Sequence, residues 1–183
     1  MRGEGKNRKC LAYVAIFIVF QAIVIAVFAL TVMKIKGPKV RFSSAVAENF
    51  SSTDSNSSSL SFTLLTRFAV KNTNFGHFKY QDSNVTILYA GQAIGTADIP
   101  RGRAKARSTR RTDVTISINT DKLTGTTNLA SDMNSGLVPL TSEATLKGKV
   151  HLMKVIKKNK SGKMSCTMSV NLANRAVQDL KCE

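Results

Sequence analysis

Twenty-three consecutive residues, Leu11 to Met33, carry no charge, and no other feature constrains the chain as strongly. The run LAYVAIFIVFQAIVIAVFALTVM holds 14 Leu, Ile, Val or Phe residues and a single strongly polar side chain, Gln21. As a helix it spans roughly 34 Å, slightly more than the hydrocarbon core of a bilayer. Those apolar residues favour insertion by on the order of 6 kcal/mol, which one amide does not cancel. The run is therefore expected to be a transmembrane helix, residues 11–33, preceded by a short basic tail, residues 1–10. A cleaved signal peptide is the competing reading, but its apolar region is shorter and ends in a small-x-small site, for which Val27-Phe28-Ala29 is a poor match. A freely diffusing enzyme is disfavoured from the outset.

The flanking charges do not orient the helix. Arg2, Lys6, Arg8 and Lys9 precede it, and Lys34, Lys36, Lys39 and Arg41 follow it, so the positive-inside count is tied. Two features break the tie in favour of an extracytoplasmic carboxyl side. Four glycosylation sequons, at Asn49, Asn56, Asn84 and Asn159, all follow the helix. The three cysteines also divide, with Cys10 before the helix and Cys166 and Cys182 after it. For Cys166 two readings stand: a buried thiol in step with Met164, Met168 and Val170, or a bridge to Cys182. A bridge closing that loop would contribute on the order of 3 kcal/mol. For Cys10, beside Arg8 and Lys9, S-palmitoylation and an unmodified juxtamembrane thiol stand equally.

Beyond Lys39 the hydrophobic pattern has period two, the mark of half-buried strands. In LSFTLLTRFAV, Leu60, Phe62, Leu64, Phe68 and Val70 share one face, while Ser61, Thr63, Arg67 and Lys71 mostly take the other. Shorter runs of the same kind cover 40–46, 85–89, 92–99, 114–118, 138–150, 152–156 and 164–172. Seven or eight strands imply a sandwich with turns at Ala90-Gly91-Gln92, Lys147-Gly148-Lys149 and Asn159-Lys160-Ser161-Gly162. Residues 127–134 depart from period two, with Leu129 and Met133 four apart and Gly136 beyond, and are expected to form one short helix. The run SSTDSNSSS is expected to be a solvated loop.

No nucleophile elbow, phosphate-binding Gly loop, HExxH helix or CxxC pair is present, so no catalytic residue, metal site or cofactor is assigned. His77 and His151 have no Cys or carboxylate at metal-ligand spacing and read as structural or surface residues. The chain contains 27 Lys or Arg against 11 Asp or Glu, a formal net charge of +16. The excess concentrates at RGRAKARSTRR and from Lys147 to Lys163. In an extended chain Arg101, Arg103, Lys105 and Arg107 form one positive ladder, with Arg110 and Arg111 beyond it. Either a solvated face or a contact to a polyanion or membrane surface accounts for it. The interleaved residues are Gly102, Ala104 and Ala106, not aromatic rings, which argues against nucleic acid.

The basic tail, the single apolar helix and the segment AVKNTNFGHFKYQDSNVTILYAGQAIGTADIP together resemble the plant late embryogenesis abundant group-two domain, also called the hydroxyproline-rich glycoprotein family. TSEATLKGKV and MSCTMSVNLANRAVQDLKC look like the end of the same domain. Its V-x-N-P-N signature is matched by Val70, Asn72 and Asn74, with Thr73 in the proline position and Phe75 and Tyr80 following it. The resemblance implies an all-β immunoglobulin- or fibronectin-like sandwich over residues 34–183, with its amino terminus in the cytosol. It also implies a relation to non-race-specific disease resistance and harpin-induced-like proteins of the plasma membrane, which act in defence and stress, and it brings no catalytic residues. The function expected is that of a non-enzymatic, single-pass plasma-membrane protein whose extracytoplasmic sandwich binds a protein partner. The alternative is a module for anionic lipid or acidic cell-wall polysaccharide.

Overall fold

The computed structural model describes residues 4–32, 34–52, 59–121, 123, 128–152 and 156–183. The chain divides into two compact units, Met1–Ile35 and Lys36–Glu183. The first is one helix, α1 (Glu4–Val32). The stretch expected as a separate tail continues this helix from Glu4. Its segment Cys10–Thr31 has a mean hydropathy of 2.8 and no buried residue, which gives it the length and composition to cross a membrane. Leu11, Phe17, Phe20, Ile25 and Leu30 project around it, all exposed. A helix apolar on every side has no face suited to water.

The second unit is a β-sandwich. Its strands are β1 (Lys39–Ser52), β2 (Leu60–Lys71), β3 (His77–Tyr80), β4 (Ser83–Tyr89), β5 (Gln92–Ile99), β6 (Gly102–Ala104), β7 (Thr109–Asn119), β8 (Leu137–Leu152), β9 (Ile156–Asn171) and β10 (Ala176–Cys182). The first sheet has the order β1-β2-β7. The second runs β10-β9-β8-β3-β6, with β4 pairing both β8 and β5. Strand β8 organises that sheet: one edge pairs with β9 throughout, and the other pairs first with β4 at 141–144 and then with β3 at 148–151.

Alternation produces the core. In β2, Leu60, Phe62, Leu64, Phe68 and Val70 are buried as the period-two pattern requires, and Phe42 of β1 meets Phe68 edge-on at 6.2 Å. From the second sheet Phe78, Val85, Ile87, Leu146, Val150, Met164 and Met168 turn inward. Ala90 and Gly91, with φ of 47° and 82°, make the tight turn from β4 to β5, a left-handed pair suited to strand twist. A short helix, α2 (Asn128–Ser135), buries Leu129. It stops at Gly136, whose φ of 76° places it past the helix end with its N–H donating to Met133 O at 3.1 Å. The Tyr89 hydroxyl donates to Asp132 of α2 at 2.7 Å; burial, then this carboxylate, pushes that hydroxyl up to about 12.

The expected strand 152–156 lies mostly outside the described residues, with Leu152 ending β8 and Ile156, its cross-strand partner, beginning β9. Two other local expectations are corrected. Lys147-Gly148-Lys149 and Asn159-Lys160-Ser161-Gly162 are not turns but lie inside β8 and β9 and pair with each other. Their glycines serve close packing: a Cβ on Gly148 would overlap Lys79 O and stand 2.7 Å from the Phe78 ring, and one on Gly162 would meet Val40 at 2.7 Å. The Ser-rich loop falls largely on 53–58, outside the described residues, and Ser51 and Ser52 belong to β1.

Candidate polyanion-binding face

Strand β3 reads His77-Phe78-Lys79-Tyr80, and alternation buries Phe78 and Tyr80 while turning His77 and Lys79 outward. Pairing on both sides extends this outward parity. Lys79 lies opposite Arg103 of β6 and opposite Lys149 of β8, which faces Asn159 of β9. In the next row His77 lies opposite His151, which faces Lys157. In the row on the other side Lys147 faces Ser161. The result is a cationic face across four strands, with a groove of about 700 Å³ whose lining includes Lys79, Lys147, Lys149, His151, Asn159 and Ser161.

Like charges directly opposite each other across strands are destabilising, yet Arg103, Lys79 and Lys149 stand in one row. Among the described residues the ion pair is Arg67–Asp113 at 2.7 Å, on the first sheet. The nearest carboxylates sit at the margins: Glu143 is opposite Thr86 and Ser165, and Asp82 accepts the Arg101 N–H at 2.7 Å. Within the field the imidazoles of His77 and His151 stack with centroids 5.0 Å apart and planes 11° from parallel. Desolvation, then the charges of Arg103, His151 and Lys79, hold His77 below its ordinary value. His151 is lowered by desolvation, then by Lys79, Lys157, Lys149 and Arg103.

The expected ladder Arg101–Arg103–Lys105–Arg107 does not form. Strand β6 is only Gly102–Ala104, and the chain then turns, with the Ser108 N–H and Oγ reaching Lys105 O at 3.3 and 3.0 Å. Arg107 adopts a φ of 53° and stacks its guanidinium 4.2 Å from the Phe75 ring. Arg110 and Arg111 lie on β7, opposite Val70 and Ala69 of the first sheet. Only Arg103 of the six enters the row with Lys79 and Lys149. Lys149 belongs to the second basic segment, but it and Lys79 are far apart in sequence, and only the β3–β8 register unites them.

Asn72 and Asn74 are the reason for the turn. Asn72 is 1% exposed, and its Nδ2 donates to the carbonyls of Gly76 (2.7 Å), Ala104 (3.3 Å) and Lys105 (3.0 Å). Its Oδ1 accepts from the N–H and from Nδ2 of Asn74, each at 3.0 Å. Asn74 Oδ1 accepts the Lys36 N–H at 2.7 Å, and its Nδ2 donates to Lys36 O at 2.8 Å. The two signature asparagines thus fasten the β2–β3 loop, the β6–β7 turn and the start of the sandwich together.

The remaining candidates are dispersed. Asn49 has a φ of 53° at the bulge of β1, Asn84 is exposed on β4, Asn159 is exposed within β9, and Asn56 lies outside the described residues. Cys10 is an exposed free thiol on α1. Cys166 and Cys182 are joined as a disulfide between cross-strand partners of β9 and β10, with Cα atoms 4.0 Å apart. Among the described residues no group of three His, Cys, Asp or Glu is placed to share a metal ion.

Residues 67–168 match the family model for late embryogenesis abundant proteins. Late embryogenesis abundant protein At1g64065 of Arabidopsis thaliana is 30% identical, the match covering 98% of this chain and 85% of that protein. Among solved structures, the solution structure of AT1g01470 from Arabidopsis thaliana is 21% identical over 70% of this chain and 82% of its own, with a TM-score of 0.42. A crystal structure of an Archaeoglobus fulgidus protein is 10% identical over 66% and 94% of the two chains, with a TM-score of 0.34.

Proposed function

The chain belongs to the late embryogenesis abundant family, and we propose that it is a non-enzymatic, single-pass plasma-membrane protein whose β-sandwich is an extracytoplasmic binding module in stress or defence responses. The observation that carries this reading is the Cys10–Thr31 helix, apolar on all sides and without a buried residue, since in water that surface would demand a cover. The sequons at Asn49 and Asn84, exposed on the sandwich away from the cationic face, support the extracytoplasmic side.

The protein is expected in vesicles sealed with their cytosolic face outward. Added protease should leave a fragment of the sandwich intact until detergent is supplied. Digestion of the sandwich before detergent refutes the orientation, and release of the full chain by carbonate washing refutes the span.

The partner in this reading is a protein held by the sandwich. The second reading, an anionic lipid or acidic polysaccharide, is favoured by the row of Arg103, Lys79 and Lys149. No carboxylate stands among the paired residues of that row.

A further inference from the structure

We propose that the outward face of β3, β6, β8 and β9 binds a linear acidic polysaccharide, whose carboxylates lie along the row Arg103–Lys79–Lys149 and whose hydroxyls meet Asn159 and Ser161. This deepens the second reading above and rests on the sandwich being extracytoplasmic for its biological setting. Strands stand about 4.8 Å apart and alternate residues about 7 Å apart along each, so the cations form a grid extended in two directions. A grid of exposed charges fits a polymer of repeated charge better than a single compact anion.

Other polyanions fit this face less well. Protein interfaces are anchored by aromatic or aliphatic side chains in their centre. Among the described residues, the exposed large apolar residues of the sandwich are Val46, Leu65, Phe75 and Leu137, and none is in these rows. The described part of the face thus offers no apolar side chain to insert among lipid chains. Nucleic-acid strands are held by stacking on aromatic rings as well as by charge; here the rings are two histidines already stacked on each other. What remains is a hydrophilic polyanion met by cations and by the amide and hydroxyl of the groove's β9 wall.

The histidines add a second signature. They face Lys79 of β3, Arg103 of β6, Lys149 of β8 and Lys157 of β9. Each is held below its ordinary value, so the pair is neutral at pH 7 and gains charge on acidification. Sugar carboxylates, with the acidity of an ordinary carboxyl, stay ionised at pH 5. Affinity for the polymer should therefore rise as pH falls from 7 to 5.

The test uses the full chain in nanodiscs of neutral phosphatidylcholine, with fluorescent polygalacturonate as the probe and uncharged dextran and phosphatidylserine vesicles as competitors. The variant R103Q/K79Q/K149Q should bind polygalacturonate roughly tenfold more weakly, as three exposed ion pairs together imply. The charge-matched variant R41Q/K71Q/R111Q, on the first sheet, should bind as the parent does. H77Q/H151Q should remove the gain between pH 7 and 5 while leaving binding at pH 7 in place. Near-ultraviolet circular dichroism of Tyr80 and Tyr89 checks that every variant keeps its core.

The proposal is overturned if the row variant binds as the parent does, or if the first-sheet variant loses as much, which would mark attraction by net charge alone. Competition by dextran overturns it too, and displacement by phosphatidylserine vesicles at equal charge assigns the face to a membrane surface instead. None of these outcomes depends on which side of the membrane the sandwich occupies, so protease protection judges the orientation separately.

Discussion

Replacing Asn72 by Ala removes one side chain and, with it, five hydrogen-bond contacts, the three at Nδ2 sharing its two protons. Three carbonyls lose the Nδ2 donor, and the N–H and Nδ2 of Asn74 lose their shared acceptor. Asn74 Nδ2 retains Lys36 O. The Asn74 N–H is the group most exposed to penalty, because its recorded acceptor is Asn72 Oδ1 in a buried setting. An unpaired buried group costs about 1–3 kcal/mol, so the Asn74 N–H together with the Gly76 carbonyl, the closest partner of Nδ2, sets the expected loss at roughly 3 kcal/mol. For a unit of the size of Lys36–Glu183 this lowers the melting temperature by roughly 6–12 °C. The full chain in detergent micelles, followed by the near-ultraviolet signal of the buried Tyr80 and Tyr89, reports mainly the sandwich, since Tyr13 of α1 is exposed. Asn72→Asp keeps shape and acceptor but discards the donor and faces three carbonyl oxygens with a carboxylate. It should be at least as destabilising as Ala. A melting temperature within 2 °C of the parent for Asn72→Ala would refute the view that the signature asparagines act as a structural clasp.

Cys182→Ser opens the bridge that closes a loop with a sequence separation of 16 and frees β10, most of whose side chains are only partly covered, at the sheet edge; a loss of about 3 kcal/mol and roughly 6–12 °C is expected in a thermal melt, and superimposable melts with two free thiols outside α1 would show that no bridge forms. Because His77 and His151 are both held below the ordinary value of 6.5, the unfolded chain binds more protons than the folded one in that range. Stability is thus fully present above pH 6.5 and is lost as pH falls through it. Melts between pH 7.5 and 5.5 without polymer should show that decline, and an equal decline in H77Q/H151Q would rule the pair out as its source.

Strands with clean alternation were legible from the chain alone. Leu60 to Val70 and Val114 to Ile118 needed nothing but period two, and the chain reversal at Ala90-Gly91 needed only turn chemistry. The glycines of Lys147-Gly148-Lys149 and Asn159–Gly162 misled because the same residue type serves a turn or a close approach, and only the position of Phe78 and Pro38 tells which. Strand β3 is four residues long, too short for periodicity to announce. The cationic face was half visible for the same reason. Arg103 lay in an obvious basic run, but Lys79 and Lys149 become its neighbours only through pairing across about 70 residues of intervening chain, from β3 to β8. The extended-ladder reading of that run failed because Asn72 captures the carbonyls of Ala104 and Lys105 and bends the chain just where the pattern would continue.

The grip of Asn74 on Lys36 also has a mechanical meaning. Any tension along the chain from α1 reaches the sandwich through Ile35 and Lys36, ahead of the first β1–β2 pair, Lys39 with Lys71. One side chain holds both the N–H and the carbonyl of Lys36, so the two bonds share the load and yield together instead of one after the other. A pull on the tether therefore strains the asparagine pair before it peels β1. Through Asn72, that strain arrives at the β6–β7 turn beside Arg103.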